Sequence, residues 1–474
     1  MKRIMIFAAL LALLALSLAP AMAQDDETVT LRVMNYSAEQ QDFYDEVAQQ
    51  FFDETGIQVE WETLSRDAYE ETLPRMFDDN SAPDIFFWLG ANRVLTVNEL
   101  LDVGWIQPLD ADVLPEDWMS RWSEGSFVDG INVIDGQTYS FPFNDNKIWG
   151  AGYMYINNDI WEGAGLSSED IPETWSELTE VCQTVRDSGP YCLAIPLDGT
   201  HFQRTWYPLA GTNYTDTFFD YQVGRYNVDD PRHLETFDYV QSLYENDLVI
   251  PGVNGRDETR ASMAFGEAAI YFGGAWMPSV FANTYDFTNV TAAPAPHPDE
   301  GLTGALAQTN SENKYFISST SEHPMEATMF IEFITRPDGY FAQNYLEQGF
   351  GTLAYSDNGE YIADPVMQTV VDIAMEQRPN MRVQYPEPAV ACEGVAASQA
   401  FVNSENIRRN WEWEEMVLAL TTGQDFAPVA QEIAAQKNEE FLSTLEEEGL
   451  DPACFAFPDW SLTENFDPAM YDMN

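Results

Sequence analysis

The residue types that most often carry catalysis form no recognised pattern in this chain. Its four histidines lie apart from one another, without the spacing of metal ligands: His201, His233, His297 and His323. The sequence contains no Gly-x-Ser-x-Gly, His-Glu-x-x-His or P-loop motif. We therefore expect no enzyme, no cofactor and no metal site. With 79 acidic residues, paired carboxylates must occur somewhere, so counting leaves a glycosidase open.

Aromatic residues are more informative, since the chain has 13 Trp and 22 Tyr. Aromatic rings can lie against the apolar C–H faces of a sugar, while planar polar groups bond to its hydroxyls. Trp88 and Trp276 each follow an apolar run that suits a buried strand. Ligands bind beyond the carboxyl ends of strands in open α/β sheets, so both rings are candidates for ligand contact as well as for core packing. Tyr385 and Trp206 are further candidates, although large aromatic residues are mostly buried.

Polar residues next to these positions complete the predicted site. Gly90, Asn92 and Arg93 suit a loop after Trp88, and a second polar cluster begins at Asn144. An ordinary solvated loop explains either cluster equally well. The predicted ligand-binding residues are Trp88, Asn92, Arg93, Asn144, Asp145, Asn146, Trp276 and Tyr385.

The N-terminal part predicts the elements that would position these residues. Val29, Leu31 and Val33 alternate as a first strand, and a helix follows, capped by Ser37. A second strand, a second helix and the strand that ends at Trp88 come next. This βαβαβ order predicts a doubly wound sheet of parallel strands.

Composition and both chain ends restrict the class of protein. The net charge of −58 argues against nucleic acid and anionic membrane surfaces as partners. Residues 1–23 resemble a signal peptide, with a basic start, an apolar core and a small-x-small cleavage site at Ala23. No cysteine follows that site, so we expect an exported, soluble and unanchored protein. About 450 remaining residues favour two domains.

The four cysteines are expected to form disulfides, because their number is even and the chain is predicted to be exported. Four cysteines allow three pairings. We favour Cys182–Cys192, which are close in sequence, and by elimination Cys392–Cys454. Zinc is a poor alternative, since no Cys-x-x-Cys occurs.

Several motifs resemble one family of proteins. Residues 83–88 resemble the strand of maltose-binding-protein-like extracellular solute-binding proteins (family 1) whose tryptophan stacks on sugar. Residues 172–178 match that family's Pro-x-Thr-Trp-x-Glu-Leu helix start, with Thr174 as N-cap and Glu177 in a capping box. Residues 261–276 resemble its phrase that ends in Gly-x-Trp.

The resemblance implies an α/β, two-lobed periplasmic-binding-protein fold, in which each lobe is a mainly parallel sheet flanked by helices and crossing hinge segments join the lobes. We expect residues 28–141 and 297–336 in the first lobe, and 142–296 and 337–474 in the second. The implied function is the extracytoplasmic substrate-binding subunit of an ABC importer, a monomer that captures a sugar or oligosaccharide and delivers it to the membrane permease. An exported carbohydrate-active hydrolase and a binding protein for a non-sugar solute stay open as alternatives.

Overall fold

The computed structural model describes residues 28–37, 40–88, 97–123, 126–128, 131–253, 255–308, 314–388, 391–395, 398–408 and 410–473. The predicted signal peptide therefore lies outside the described residues. The strands are β1 Thr30–Asn35, β2 Gln58–Thr63, β3 Ile85–Phe87, β4 Ile106–Gln107, β5 Val133–Ile134, β6 Gln137–Thr138, β7 Ala151–Asn157, β8 Tyr191–Ala194, β9 Phe219–Asp220, β10 Arg225–Tyr226, β11 Ala268–Gly274, β12 Val290–Pro294, β13 Leu306–Gln308, β14 Tyr315–Ser318 and β15 Arg382–Gln384.

Helices cover both faces of the two larger sheets. They are α1 Gln41–Thr55, α2 Arg66–Asp78, α3 Val97–Asp102, α4 Asn146–Trp149, α5 Asn158–Gly163, α6 Trp175–Ser188, α7 Gly199–Asn213, α8 Pro231–Glu245, α9 Arg256–Ala264, α10 Met277–Tyr285, α11 Pro324–Ile334, α12 Tyr340–Glu347, α13 Asn358–Tyr361, α14 Pro365–Asp372, α15 Ala400–Asn406, α16 Trp411–Thr422 and α17 Ala427–Glu448.

The first lobe is built on a five-stranded sheet in the order β2-β1-β3-β14-β4. The predicted βαβαβ order is confirmed, because β1 pairs in parallel with both β2 and β3. The later strand β14 inserts antiparallel beside β3. Helix α1 begins after Gln40, which makes no side-chain cap, and buries Phe43, Val47 and Phe51 against the sheet.

The second lobe is built on a four-stranded sheet in the order β12-β7-β11-β8. Its strand directions differ from the mainly parallel sheet expected, since β7 runs antiparallel to both β11 and β12 and only β8 and β11 pair in parallel. The reason is connectivity: β7 enters directly from the first lobe, without the helical crossover that makes neighbouring strands parallel. Ile156 is buried within this lobe.

The lobe boundaries predicted at residues 297 and 337 stay a prediction. Beyond the first of them, strand β13 pairs with β15, and Ala305 bridges to Thr215. Helix α12 lies on the first lobe, where the ring centres of Phe341 and Phe43 are 5.4 Å apart. The turn at residues 336–339 redirects the chain without moving it to the other lobe, because α12 still has an apolar face to bury.

The second lobe also contains the predicted local features. Thr174 and Glu177 form the predicted capping box at the start of α6. Both predicted disulfides are present, one between Cys182 and Cys192 and the other between Cys392 and Cys454.

Candidate functional site

Two tryptophans lie together where the second lobe meets the crossing segments. Trp276 follows the carboxyl end of β11, and Trp149 ends the short helix α4, which precedes β7. Their ring centres are 5.3 Å apart and the rings are inclined by 56°. The Ala275 N–H donates to the Trp149 carbonyl at 3.1 Å, which fixes the two backbones side by side. Both rings are only partly buried, so this tilted pair presents aromatic surface at the strand end.

Glycines leave the space that the two rings fill. A methyl group at Gly274 would lie 2.2 Å from the nearest carbon of the Trp276 ring. At Gly351 it would lie 2.8 Å from the Trp149 ring. These distances are far shorter than a carbon–carbon contact of about 3.5–4.0 Å, so each ring requires glycine at that position. The Trp276 ring therefore packs directly on the backbone at Gly274, and the Trp149 ring packs directly on the backbone at Gly351.

Two guanidinium groups lie beside the same pair. The Arg204 guanidinium on α7 is 5.1 Å from the centre of the Trp276 ring. Arg382 packs over Gly150, the residue after Trp149, and donates to the Ala307 carbonyl at 2.8 Å. Burial raises the pKa of the nearby Asp216 carboxyl to about 6, against the opposing charge of Arg382. The region thus combines aromatic surface with hydrogen-bond donors and an acid.

The strand ends of the first lobe carry a second aromatic group. Trp88 follows β3; it is 8% exposed and packs edge-on against Trp105, with ring centres 6.1 Å apart. Tyr36 directly follows β1, and its ring lies edge-on to Phe87 at 5.4 Å. The Lys314 ammonium is 5.8 Å from the Phe87 ring centre. Trp88 therefore occupies the predicted strand end but is mostly buried, and its contact with ligand stays a prediction.

The polar cluster at residues 144–146 lies in the first crossing segment. Asn144 is buried, at 7% exposure, and Asn146 begins α4. Asp145 caps that helix, since its Oδ1 accepts the Lys147 N–H at 3.0 Å. Burial raises the pKa of the Asp145 carboxyl, and the Lys147 amide and charge oppose that rise. The structure thus gives Asp145 partners within the protein, whereas the sequence predicted a ligand contact.

Tyr385 lies in the core of the second lobe, and its contact with ligand stays a prediction. It is 4% exposed, and its hydroxyl is 2.8 Å from Thr215 Oγ1 and 2.9 Å from the Ala305 carbonyl. Its ring packs edge-on to Trp460. Trp206 is fully buried as well. Asn92 and Arg93 lie outside the described residues.

Four residues near the site were missed from the sequence: Tyr36, Trp149, Arg204 and Lys314. Tyr36 could have been found, because it follows the first strand as Trp88 follows the third. The other three depend on contacts between distant parts of the chain.

A separate cavity of about 310 Å³ lies along β1 and β2, lined by Arg32, Glu60 and Trp61 among others. Its lining comes mainly from within β1 and β2, with Asp45 of α1 and Pro83, and not from beyond the carboxyl ends of the strands, so we do not assign it to the ligand.

Two α/β lobes joined by crossing segments, with aromatic groups at strand ends of each lobe, are the architecture of a two-lobed binding protein. The sequence matches the family model of bacterial extracellular solute-binding proteins over residues 37–340. That match covers more than half of the chain, so the protein belongs to this family.

Within the described ranges, no helix has the length and apolar character needed to cross a membrane. The same residues hold no group of three or more His, Cys, Asp or Glu suited to a metal.

Curated relatives match only a short part of the chain. The sn-glycerol-3-phosphate-binding periplasmic protein UgpB of Agrobacterium fabrum is 33% identical over 90 residues, covering 18% of this chain and 19% of that protein. UgpB of Rhizobium meliloti is 33% identical over 72 residues, covering 15% of each. The chain thus spans less than a fifth of the length of these relatives.

Solved structures match over most of the chain. A solute-binding protein of an ABC transporter from Thermotoga lettingae, bound with α-D-tagatose, has a TM-score of 0.65 at 16% identity, covering 87% of this chain and 100% of that one. The GacH receptor of Streptomyces glaucescens, solved with acarbose, has a TM-score of 0.63 at 16% identity, covering 89% and 99%. RafE in complex with raffinose has a TM-score of 0.60 at 18% identity, covering 88% and 100%. At such identities the likeness establishes the fold alone.

Proposed function

We propose that the solute is a carbohydrate, held between the lobes, and that the protein delivers it to the permease of an ABC importer. The observation that carries this proposal is the tilted pair of Trp149 and Trp276, partly exposed at a strand end and seated on glycines. Rings fixed in this way suit the apolar faces of sugars, and Arg204 beside them suits the hydroxyls. The sugar ligands named for the solved structures support the proposal.

Binding serves lobe closure in this proposal, and no bond is made or broken. A ligand that touches both lobes stabilises the closed arrangement by the difference in its affinity for the closed and open forms. The exported, soluble and monomeric state belongs to the proposal too. It is supported by the signal-peptide pattern of residues 1–23 and by the extracellular character of the family.

Calorimetric titration with a panel of neutral mono- and oligosaccharides tests the proposal, with sn-glycerol 3-phosphate as an additional arm. We expect one or more carbohydrates to bind, and Trp149→Ala to weaken that binding about tenfold or more, because a stacked ring contributes roughly 0.5–1.5 kcal/mol beyond the apolar area it buries. Phe265→Ala is the control, since that side chain is 71% exposed at the end of α9. Binding of the phosphate ligand alone, or turnover of the sugars, would reject the proposal.

A further inference from the structure

One carboxylate joins two of the segments that cross between the lobes. Asp145 lies in the first of these segments, and Asn358 lies in the last, between Tyr355 on the first lobe and α14 on the second. The Asp145 Oδ1 accepts the Lys147 N–H at 3.0 Å, and the Oδ2 accepts from the Asn358 Nδ2 at 3.3 Å. Both oxygens are therefore used: one caps α4 and the other ties the crossing segments together.

We call the contact between Asp145 and Asn358 the junction. Further backbone and side-chain hydrogen bonds hold its two segments in place. The Ala354 N–H donates to the Phe143 carbonyl at 2.9 Å, and the Thr352 hydroxyl donates to the Asp145 carbonyl at 3.4 Å. Asn358 is buried, and its Oδ1 accepts the Leu353 N–H at 2.8 Å. The Asn358 Nδ2 donates to the Leu353 carbonyl at 3.0 Å as well as to Asp145, so the Leu353 backbone orients the amide from both sides.

The junction continues directly to the tryptophan pair. The Trp149 N–H donates to the Asp145 carbonyl at 2.8 Å, and the Trp149 carbonyl accepts from the Ala275 N–H at 3.1 Å. The Trp149 ring rests against Gly351, just before the segment that carries Asn358. Because its backbone is bonded to Ala275 while its ring rests on Gly351, a movement of the segment that carries Gly351 acts on the Trp149 ring and so on its angle to the Trp276 ring.

We propose that the contact between Asp145 and Asn358 is a positioning contact, which sets the angle between the Trp149 and Trp276 rings and couples that angle to the relative position of the lobes. Asp145 acts here through Trp149 and does not itself touch the ligand. The inference rests on the proposed function only for what the rings contact, and the test below needs no ligand.

Exchange of the two side chains separates this role from simple helix capping. Asp145→Asn leaves one acceptor oxygen for two donors, so the variant keeps either the cap or the junction. Asn358→Asp sets a second carboxylate beside the first. The double variant restores a donor opposite an acceptor between positions 145 and 358, because the new amide can cap α4 with its oxygen and donate from its nitrogen, but it loses the bond from position 358 to the Leu353 carbonyl. Asp364→Asn is the matched control, since Asp364 caps α14 by accepting the Met367 N–H at 2.7 Å.

The readout is the near-ultraviolet circular dichroism of the tryptophan pair, defined as the difference between wild type and Trp149→Phe. We expect each single variant to lose most of this band, the double variant to regain part of it, and Asp364→Asn to retain it. Far-ultraviolet spectra establish folding, and if Asn358→Asp does not fold, Asp145→Asn against the control decides. A band retained in Asp145→Asn, or a band absent from wild type, would overturn the proposal. None of these outcomes depends on whether a carbohydrate binds.

Discussion

A methyl group at Gly274 should weaken ligand binding without removing any side chain that contacts the ligand. In Gly274→Ala the new carbon would lie 2.2, 2.3 and 2.7 Å from three carbons of the Trp276 ring. The backbone of Gly274 is not in the left-handed region, so alanine brings no conformational strain of its own. The substitution therefore acts on the position of the ring alone.

The magnitude follows from these distances. Carbon atoms in contact lie about 3.5–4.0 Å apart, so the ring has to shift by more than about 1 Å. A displaced ring loses its stacking contact with the ligand, which is worth roughly 0.5–1.5 kcal/mol. We expect the dissociation constant to rise about two- to tenfold, less than on complete removal of the ring in Trp276→Ala, for which we expect about tenfold or more.

Calorimetric titration with the carbohydrate identified by the panel measures this effect. Gly163→Ala is the control, because a methyl group there would meet no atom within 4 Å. Thermal melts of both variants report whether the fold is retained. If Gly274→Ala melts like the control and binds with unchanged affinity, Trp276 does not contact the ligand and the site is misassigned.

Three further predictions concern stability and are measured by denaturant unfolding. Lys437→Met should cost about 3–5 kcal/mol, because it leaves the 5%-exposed Glu412 without the ammonium group 3.2 Å away. Asp216 has a pKa of about 6 in the fold, above the unfolded value of about 3.9, so the free energy of unfolding should fall by roughly 3 kcal/mol between about pH 3 and pH 7, of which about 2 kcal/mol is lost between pH 4 and pH 6; Asp216→Asn should remove that slope. Loss of the disulfide between Cys392 and Cys454, which are 62 residues apart, should cost about 4 kcal/mol.

Each of these predictions has its own control. Arg75→Met breaks an ion pair whose side chains are both 70% exposed and should cost about 0–1 kcal/mol; an equal cost for Lys437→Met would contradict the burial argument. The difference between wild type and Asp216→Asn isolates that carboxyl, and a constant difference across pH would contradict its raised pKa. Loss of the disulfide between Cys182 and Cys192, which are 10 residues apart, should cost less, about 3 kcal/mol. The reverse order would contradict the loop-entropy argument.

Features set by neighbouring residues could be predicted from the sequence. The alternation in β1, the capping box at Thr174 and the position of Trp276 after β11 all depend on a few adjacent residues. Tyr385 shows the limit of this reasoning, because residue type does not reveal that its hydroxyl bonds to Thr215 within a core.

Contacts between distant segments could not be predicted in the same way. Trp149 is in the site because β11 pairs with β7 and because Gly351, about two hundred residues further on, leaves space for its ring. Helix α12 stays on the first lobe because its apolar face fits α1, whereas the local turn at residues 336–339 suggests a crossing. Both outcomes depend on which apolar surfaces of the folded sheets and helices still have to be buried by another segment of the chain.

Hydrogen–deuterium exchange with and without a saturating carbohydrate from the panel tests the central claim most directly, since it reports which segments the ligand covers. The account predicts added protection in peptides from both lobes: residues 35–36 and 87–88 in the first, and 146–149 and 274–276 at the second. Protection confined to one lobe, or located away from these strand ends, would contradict a ligand held between the lobes by Trp149 and Trp276.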